Sequence, residues 1–144
     1  MTMLNSAKPA ALLSLVVLMA GCGGPFYIIP GGELSGSLET KHIDDWSFVE
    51  APFVDLETNG DSLRSVQLNY ILREGSLFID PSEGKTWFTE LKKNTNVRIR
   101  FDGKIYPVTA TLVGKPVELA GFDPERYIYR LESRGGETDS GETQ

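Results

Sequence analysis

"NVRIRFDGKIYPVTATLV", residues 96–113, joins two runs of alternating apolar and polar residues through an Asp-Gly pair. The first run separates apolar residues from arginines: Val97, Ile99 and Phe101 against Arg98 and Arg100. Such alternation is typical of a half-buried strand, here with a solvated basic face. Asp-Gly between two such runs is a strong hairpin signal. Pro107 in the second run predicts an edge position or a bulge, because proline cannot donate a ladder hydrogen bond.

The same period-two pattern recurs along the chain. Further strands are predicted at "FVDLET" (53–58), "SVQLNYIL" (65–72), "SLFID" (76–80) and "ERYIYRLES" (125–133), with "REG" (73–75) as a tight turn. With the hairpin above, these make six strands. A closed or nearly closed barrel buries their shared apolar face without leaving long edges.

One segment departs from this rhythm. "DPSEGKTWFTELKKN" (80–94) predicts a single amphipathic helix with Asp80 as N-cap, Pro81 in the first turn and Glu83 completing a capping box. We therefore predict a mainly β protein, a six-stranded antiparallel split β-barrel with one amphipathic helix.

Composition excludes several classes of function. The chain has 144 residues, a net charge of −6, one Cys and one His. This length favours one domain, and a single Cys precludes an intramolecular disulfide. The absence of a clustered basic stripe argues against nucleic-acid binding. With one His, no metal site is predicted.

The N-terminal segment contains "LLSLVVLMAGCGG", residues 12–24, which ends an apolar run at the only cysteine. Lys8 precedes this run, and Ala10 to Ala20 is too short to span a bilayer. "LMAGC" resembles the bacterial lipobox, which implies cleavage before Cys22 and acylation of its thiol. Two acyl chains suffice for stable anchoring. A plain secretory signal and an uncleaved anchor are the alternatives.

These signals divide the chain into four parts. Residues 1–21 are predicted as a lipoprotein signal peptide, 22–40 as a lipid-anchored Gly/Pro-rich tether, 41–133 as the split-barrel domain and 134–144 as a disordered polar tail. The predicted location is the bacterial cell envelope, on the extracytoplasmic side of a membrane. The membrane is the predicted partner, through acyl chains on Cys22.

Three clusters of side chains have both a chemical and a structural interpretation. His42 with Asp44 and Asp45 offers a metal or acid–base site, or only a solvated loop. Trp46 and Phe48 offer a cation or sugar platform, or a plug at one end of the barrel. The third cluster offers an anion or aromatic-ligand groove, or cross-strand aromatic pairing: Tyr106, Tyr127 and Tyr129 with Arg126 and Arg130. We favour the structural interpretation of each.

The order of elements resembles the pyridoxamine 5′-phosphate oxidase-like split barrels, which include deazaflavin-dependent nitroreductases. The motifs that carry the likeness are "VDLETNG", "SVQLNYILREGSLFI" and "SEGKTWFTELKKNTNVRIRFDGKIY". "IPGGELSG" followed by "DDWSF" is similar to uncharacterised bacterial lipoproteins attached to that superfamily.

This resemblance implies an FMN or deazaflavin site. The cofactor phosphate would lie near Ser82, Lys85 and Thr86, and polar residues of the first hairpin, Thr58 and Ser65, would face the cofactor. It also implies a homodimer, because flavin-binding members build pockets between subunits. Catalytic residues are not predicted.

Two functions remain open. The first is an envelope lipoprotein whose barrel is a non-enzymatic module that binds a protein or small-molecule partner of unknown specificity. The alternative is a flavin- or deazaflavin-dependent oxidoreductase, in which the protein supplies the pocket and the cofactor the hydride chemistry.

Overall fold

The computed structural model describes residues 24–25, 29–114 and 126–135. The predicted signal peptide, Cys22 and most of the predicted tail lie outside these residues. The elements, in chain order, are β1 Ser37–Leu38, β2 Val54–Asn59, β3 Leu63–Leu68, β4 Ile71–Arg73, β5 Ser76–Ile79, α1 Thr86–Lys93, β6 Asn96–Phe101, β7 Lys104–Gly114 and β8 Ile128–Ser133.

The strands form one curled sheet in the order β3-β2-β6-β7-β8-β5-β4, with β1 beside β7. All neighbours on this path are antiparallel, whereas β1 is parallel to β7. The outermost strands, β3 and β4, are separated in the chain only by Asn69 and Tyr70. Their closeness in sequence draws the two ends of the sheet together. The prediction of a mainly β split barrel with one helix is confirmed, but the described residues form eight strands and not the predicted six.

The predicted strand at residues 65–72 is wrong in one respect, because it is two strands. β3 pairs with β2, while β4 pairs with β5 at the opposite end of the sheet. The alternation runs unbroken through both, since Val66, Leu68, Tyr70 and Leu72 all pack against the core. The period-two pattern predicts which face of a strand is buried, but not which neighbouring strand it pairs with. It therefore gave no sign that the chain passes from one end of the sheet to the other at Asn69 and Tyr70.

The hairpin between β6 and β7 forms as predicted. Asp102 and Gly103 have φ of 47° and 75°, the positive values that a two-residue type I′ turn requires. Pro107 lies within β7, and its carbonyl accepts a hydrogen bond from Arg134 N at 2.9 Å. The Pro107 nitrogen faces the same side of β7 as this carbonyl. It lies in the gap between the neighbouring strands β1 and β8, where the sheet needs no N–H donor. The irregular register of β7 lies elsewhere, between Leu112 and Gly114.

The helix begins later than predicted, and the predicted capping box is wrong. Its N-cap is Lys85, with no side-chain capping hydrogen bond, so neither Asp80 nor Glu83 caps it. Gly84 has a φ of 87°, which interrupts the chain before a helical turn can form. Glu83 instead pairs with Lys92 Nζ at 2.9 Å.

The core lies inside the curl of the sheet, with α1 packed across one opening. Phe88 and Leu91 are the buried residues of α1. Trp46 is 2% exposed and lies edge-on to Tyr106, with ring centroids 5.3 Å apart, as expected for the predicted plug. Phe48, its predicted companion, is 53% exposed.

Two tyrosines of the third cluster, Tyr106 and Tyr129, are core residues, and Tyr127 is partly buried against the core. Tyr127 and Tyr129 contact the Phe88 ring at centroid distances of 5.4 and 5.8 Å. Burial raises the pKa of Tyr106 and Tyr129 above the ordinary value, so both phenols stay neutral at physiological pH. Their packing against the helix and the plug goes beyond the predicted cross-strand pairing.

The described part of the predicted tether packs on the outer face of the sheet. Gly31 exchanges two backbone hydrogen bonds with Ser65, each 2.9 Å long. Leu34 is buried, and β1 continues the contact along β7. Contacts with the barrel therefore begin before residue 41, where the domain boundary was predicted.

Candidate functional site

A cleft of about 540 Å³ opens between the β2–β3 turn and α1. Its lining is polar: Asn59, Gly60, Asp61, Thr86, Thr89, Glu90 and Lys93. Two carboxylates and one ammonium group give the lining a net negative charge. The cleft suits a small polar ligand that carries hydroxyl or cationic groups.

Glu90 holds the wall of this cleft together. Its Oε2 accepts a hydrogen bond from Thr58 Oγ1 at 2.5 Å, and its Oε1 lies 3.6 Å from Arg64 Nε. Gly60 permits this close approach, because a Cβ there would lie 3.0 Å from Glu90 Cγ. The Glu90 carboxylate thus links α1 to the β2–β3 hairpin. Sequence reasoning missed Glu90, whose only signal is its place beside the apolar stripe of the helix.

Replacing Thr58 with valine is expected to lower the free energy of unfolding by about 1–3 kcal/mol, because Glu90 loses a charge-assisted partner at a fully buried position. Urea denaturation measures the change. Thr109→Val is the control, since its hydroxyl bonds Asn96 Oδ1 in an exposed pair and its loss should cost less than about 0.5 kcal/mol. Equal costs would show that Thr58 does not fasten the helix.

The structure does not bring the five predicted cofactor residues together. Glu57, the residue before Thr58, is the cross-strand partner of Ser65, so the side chains of Thr58 and Ser65 point to opposite faces of the sheet. Thr86 lines the cleft, whereas Lys85 is exposed and Ser82 half-buried outside its lining. Ser65 Oγ is buried and has no hydrogen-bond partner among the described residues.

The cleft is a poor fit for a phosphate group. Of the predicted residues only Thr86 lines it, beside the carboxylates of Asp61 and Glu90. Lys93 is the one cation in its described lining. The two carboxylates in the lining repel a phosphate bound in the cleft, and one ammonium group does not offset both of them. The cofactor role of the five residues stays a prediction, and this arrangement does not favour it.

The outer face of the sheet carries paired charges, and the prediction of a solvated basic face there is wrong. Arg98 and Arg100 were predicted as a solvated basic face, but both are partly buried in ion pairs. Arg98 donates to both carboxylate oxygens of Glu57, from Nε at 2.6 Å and from Nη2 at 2.8 Å. Arg100 Nη2 donates to Asp55 Oδ2 at 2.7 Å.

The segment before β1 covers these pairs. Leu34 N donates to Glu57 Oε2 at 2.6 Å, and the Glu57 side chain is only 3% exposed. The hydrogen bond to Glu57 raises the pKa of Arg98 above its ordinary value, so this guanidinium stays charged at every working pH. A signal was present in the sequence, since acidic residues alternate on β2 as arginines do on β6.

The His42 cluster is a solvated loop. His42 Nε2 lies 3.1 Å from Asp44 Oδ1, and both side chains are more than half exposed. Asp45 accepts a hydrogen bond from Ser47 N at 2.8 Å, and bonds from Ser47 lower its pKa. No group of three or more metal-ligating side chains occurs within the residues that the structure describes.

Comparison with known proteins assigns no family. The sequence matches no protein-family model, and no curated protein matches it. Among the described ranges there is no helix with the length and apolar character needed to cross a membrane.

Proposed function

We propose that this protein is an envelope lipoprotein, anchored by acyl chains on Cys22, whose small split barrel is a non-enzymatic binding module. The observation that carries the proposal is the apolar run that ends in "LMAGC", with the only cysteine of the chain at the site of acylation. The cleft beside α1 is the proposed site for a small polar ligand or a polar segment of a partner.

The arrangement of the predicted cofactor residues supports a non-enzymatic role. Thr58 is engaged by Glu90 and Ser65 lies on the opposite face of the sheet, so neither is free to face one ligand together with Thr86. The negative lining of the cleft opposes a flavin phosphate. The oxidoreductase alternative keeps its support only from the family resemblance.

Titration of the purified protein with FMN and with a deazaflavin separates the two functions. We expect no change in cofactor absorbance or fluorescence at micromolar concentrations. Micromolar binding that Lys85→Glu abolishes would overturn the non-enzymatic assignment, because it would place a phosphate where the resemblance predicts one.

NMR chemical-shift perturbation tests the cleft itself, with ethanolamine, spermidine and glucose as probes. We expect at least one cationic probe to shift the amide signals of residues 59–61 and 86–93, since two carboxylates line the cleft. Asp61→Lys should abolish the shifts, whereas the exposed control Glu50→Lys should preserve them. Shifts confined to other regions, or no shift with any probe, would contradict this site.

A further inference from the structure

The outer face of the sheet carries one row of residues that crosses five strands. Paired positions link Leu38 on β1 to Ile105 on β7, then to Arg100 on β6, Asp55 on β2 and Gln67 on β3. Cross-strand partners in register point to the same side of a sheet. The row therefore lies wholly on the outer face, away from the core.

The start of the described chain lies on this row. Pro25 is buried, and a Cβ added to Gly24 would collide with the Arg100 guanidinium. Arg100 Nη1 also donates to Ser35 O at 2.9 Å, so Arg100 contacts the N-terminal segment at two places. Gly24 is two residues from Cys22, a span of at most about 7 Å. Acyl chains on Cys22 would place the bilayer beside Arg100.

Exposed apolar side chains surround this point. Leu38 is 57% exposed at the end of the row, and Phe53, which immediately precedes β2 two residues before Asp55, is 39% exposed, whereas its neighbour Val54 belongs to the core. Ile29, which precedes the Gly31 contact with β3, is also exposed. The nearby charges are neutralised within the sheet, because Arg100 is paired with Asp55. Glu33, whose side chain is 68% exposed, lies 3.5 Å from Arg98, so within the described residues this face combines exposed apolar side chains with basic groups that are paired.

We propose that the outer face around Arg100, together with the N-terminal segment that covers it, rests on the lipid bilayer, with Leu38 and Phe53 at the level of the headgroups. This inference rests on the proposed acylation of Cys22. The contact is apolar rather than electrostatic, so it does not require anionic lipid. This contact also fixes the orientation of the barrel on the membrane. A connection of about 7 Å between Cys22 and Gly24 leaves the domain little freedom to turn its opposite face toward the bilayer.

The test uses the lipidated protein in phosphatidylcholine vesicles. Leu38→Cys and, separately, Phe53→Cys add one free thiol for an environment-sensitive fluorophore, because acylated Cys22 does not react. We expect a blue-shifted emission and quenching by lipids that carry a quencher in the acyl chain.

Leu112→Cys is the matched control. Leu112 is also on β7 and 52% exposed, but it lies seven residues beyond Ile105, about 23 Å along the strand. Its label should emit as in water and escape quenching. Two positions near Arg100 are labelled so that a local folding defect at one of them does not decide the result.

Several outcomes would overturn the proposal. Labels at Leu38 and Phe53 that are as aqueous as the label at Leu112 would refute it while leaving the anchor intact. If the labels at Leu38 and Phe53 become aqueous when the protein is diluted in lipid, the surface that covers this face is a second copy of this chain and not the bilayer. Burial that requires phosphatidylglycerol would refute an apolar contact. A bare Cys22 in the intact mass would refute the proposed function instead.

Discussion

Replacing Arg98 with alanine is expected to lower the free energy of unfolding by about 3–5 kcal/mol. The variant leaves Glu57 with a side chain only 3% exposed and without the two hydrogen bonds, of 2.6 and 2.8 Å, that balance its charge. Removing one member of a buried ion pair is costly, because the remaining carboxylate has lost its counter-charge and is shielded from solvent, and only the Leu34 amide still donates to it. Urea denaturation, followed by tryptophan fluorescence, measures the loss.

Arg130→Ala is the matched control for this prediction. Arg130 Nη2 pairs with Glu132 Oε1 at 2.9 Å, but the side chains are 42% and 47% exposed. Water replaces the partner at such a site, so the expected cost is about 0–1 kcal/mol. If Arg98→Ala were as mild as Arg130→Ala, the N-terminal segment would not seal the outer face as described.

Replacing Phe88 with alanine is expected to lower the free energy of unfolding by about 3–5 kcal/mol and the melting temperature by at least about 10 °C. Phe88 is fully buried where α1 meets β8, against Tyr127 and Tyr129. No small movement of the sheet refills a cavity of that size. Calorimetry of the variant and the parent protein measures both quantities.

Phe48→Ala is the control for this second prediction. Phe48 is a residue of the same type, but its ring is mostly exposed, so its loss should cost less than about 1 kcal/mol. Similar melting temperatures for the two variants would mean that α1 is not part of the barrel core.

Local alternation was enough to predict most of the barrel. Residues 96–113 specify two strands and their turn, because the Asp-Gly pair has the backbone freedom that a type I′ turn requires. Strand partners are not encoded locally. The chain crosses from one end of the sheet to the other at Asn69 and Tyr70 without any change in period, so only the assembled sheet reveals two strands there.

The errors near the helix and on the outer face have different physical origins. The capping-box pattern is satisfied by Asp80 and Glu83, but the left-handed backbone of Gly84 separates them from the helix. Arg98 and Arg100 alternate as solvated residues do, and only the covering segment from Gly31 to Gly36 turns them into buried partners. Tertiary contacts override a local pattern where two distant segments meet.

The candidate site was predictable only in part. Thr86 and the hairpin residue Thr58 were chosen by resemblance, and both lie at or beside the cleft. Glu90, which bonds Thr58 and lines the cleft together with Thr86, was missed because a single acidic residue on a helix usually faces solvent.

Intact-mass measurement of the protein purified from native membranes is the decisive test of the lipid anchor on Cys22. We expect residues 1–21 to be absent and Cys22 to carry a diacylglyceryl group, with or without a further acyl chain on its amine. A mass equal to that of the unmodified chain with its leader still attached would contradict the anchor, the envelope location and the membrane-facing surface together.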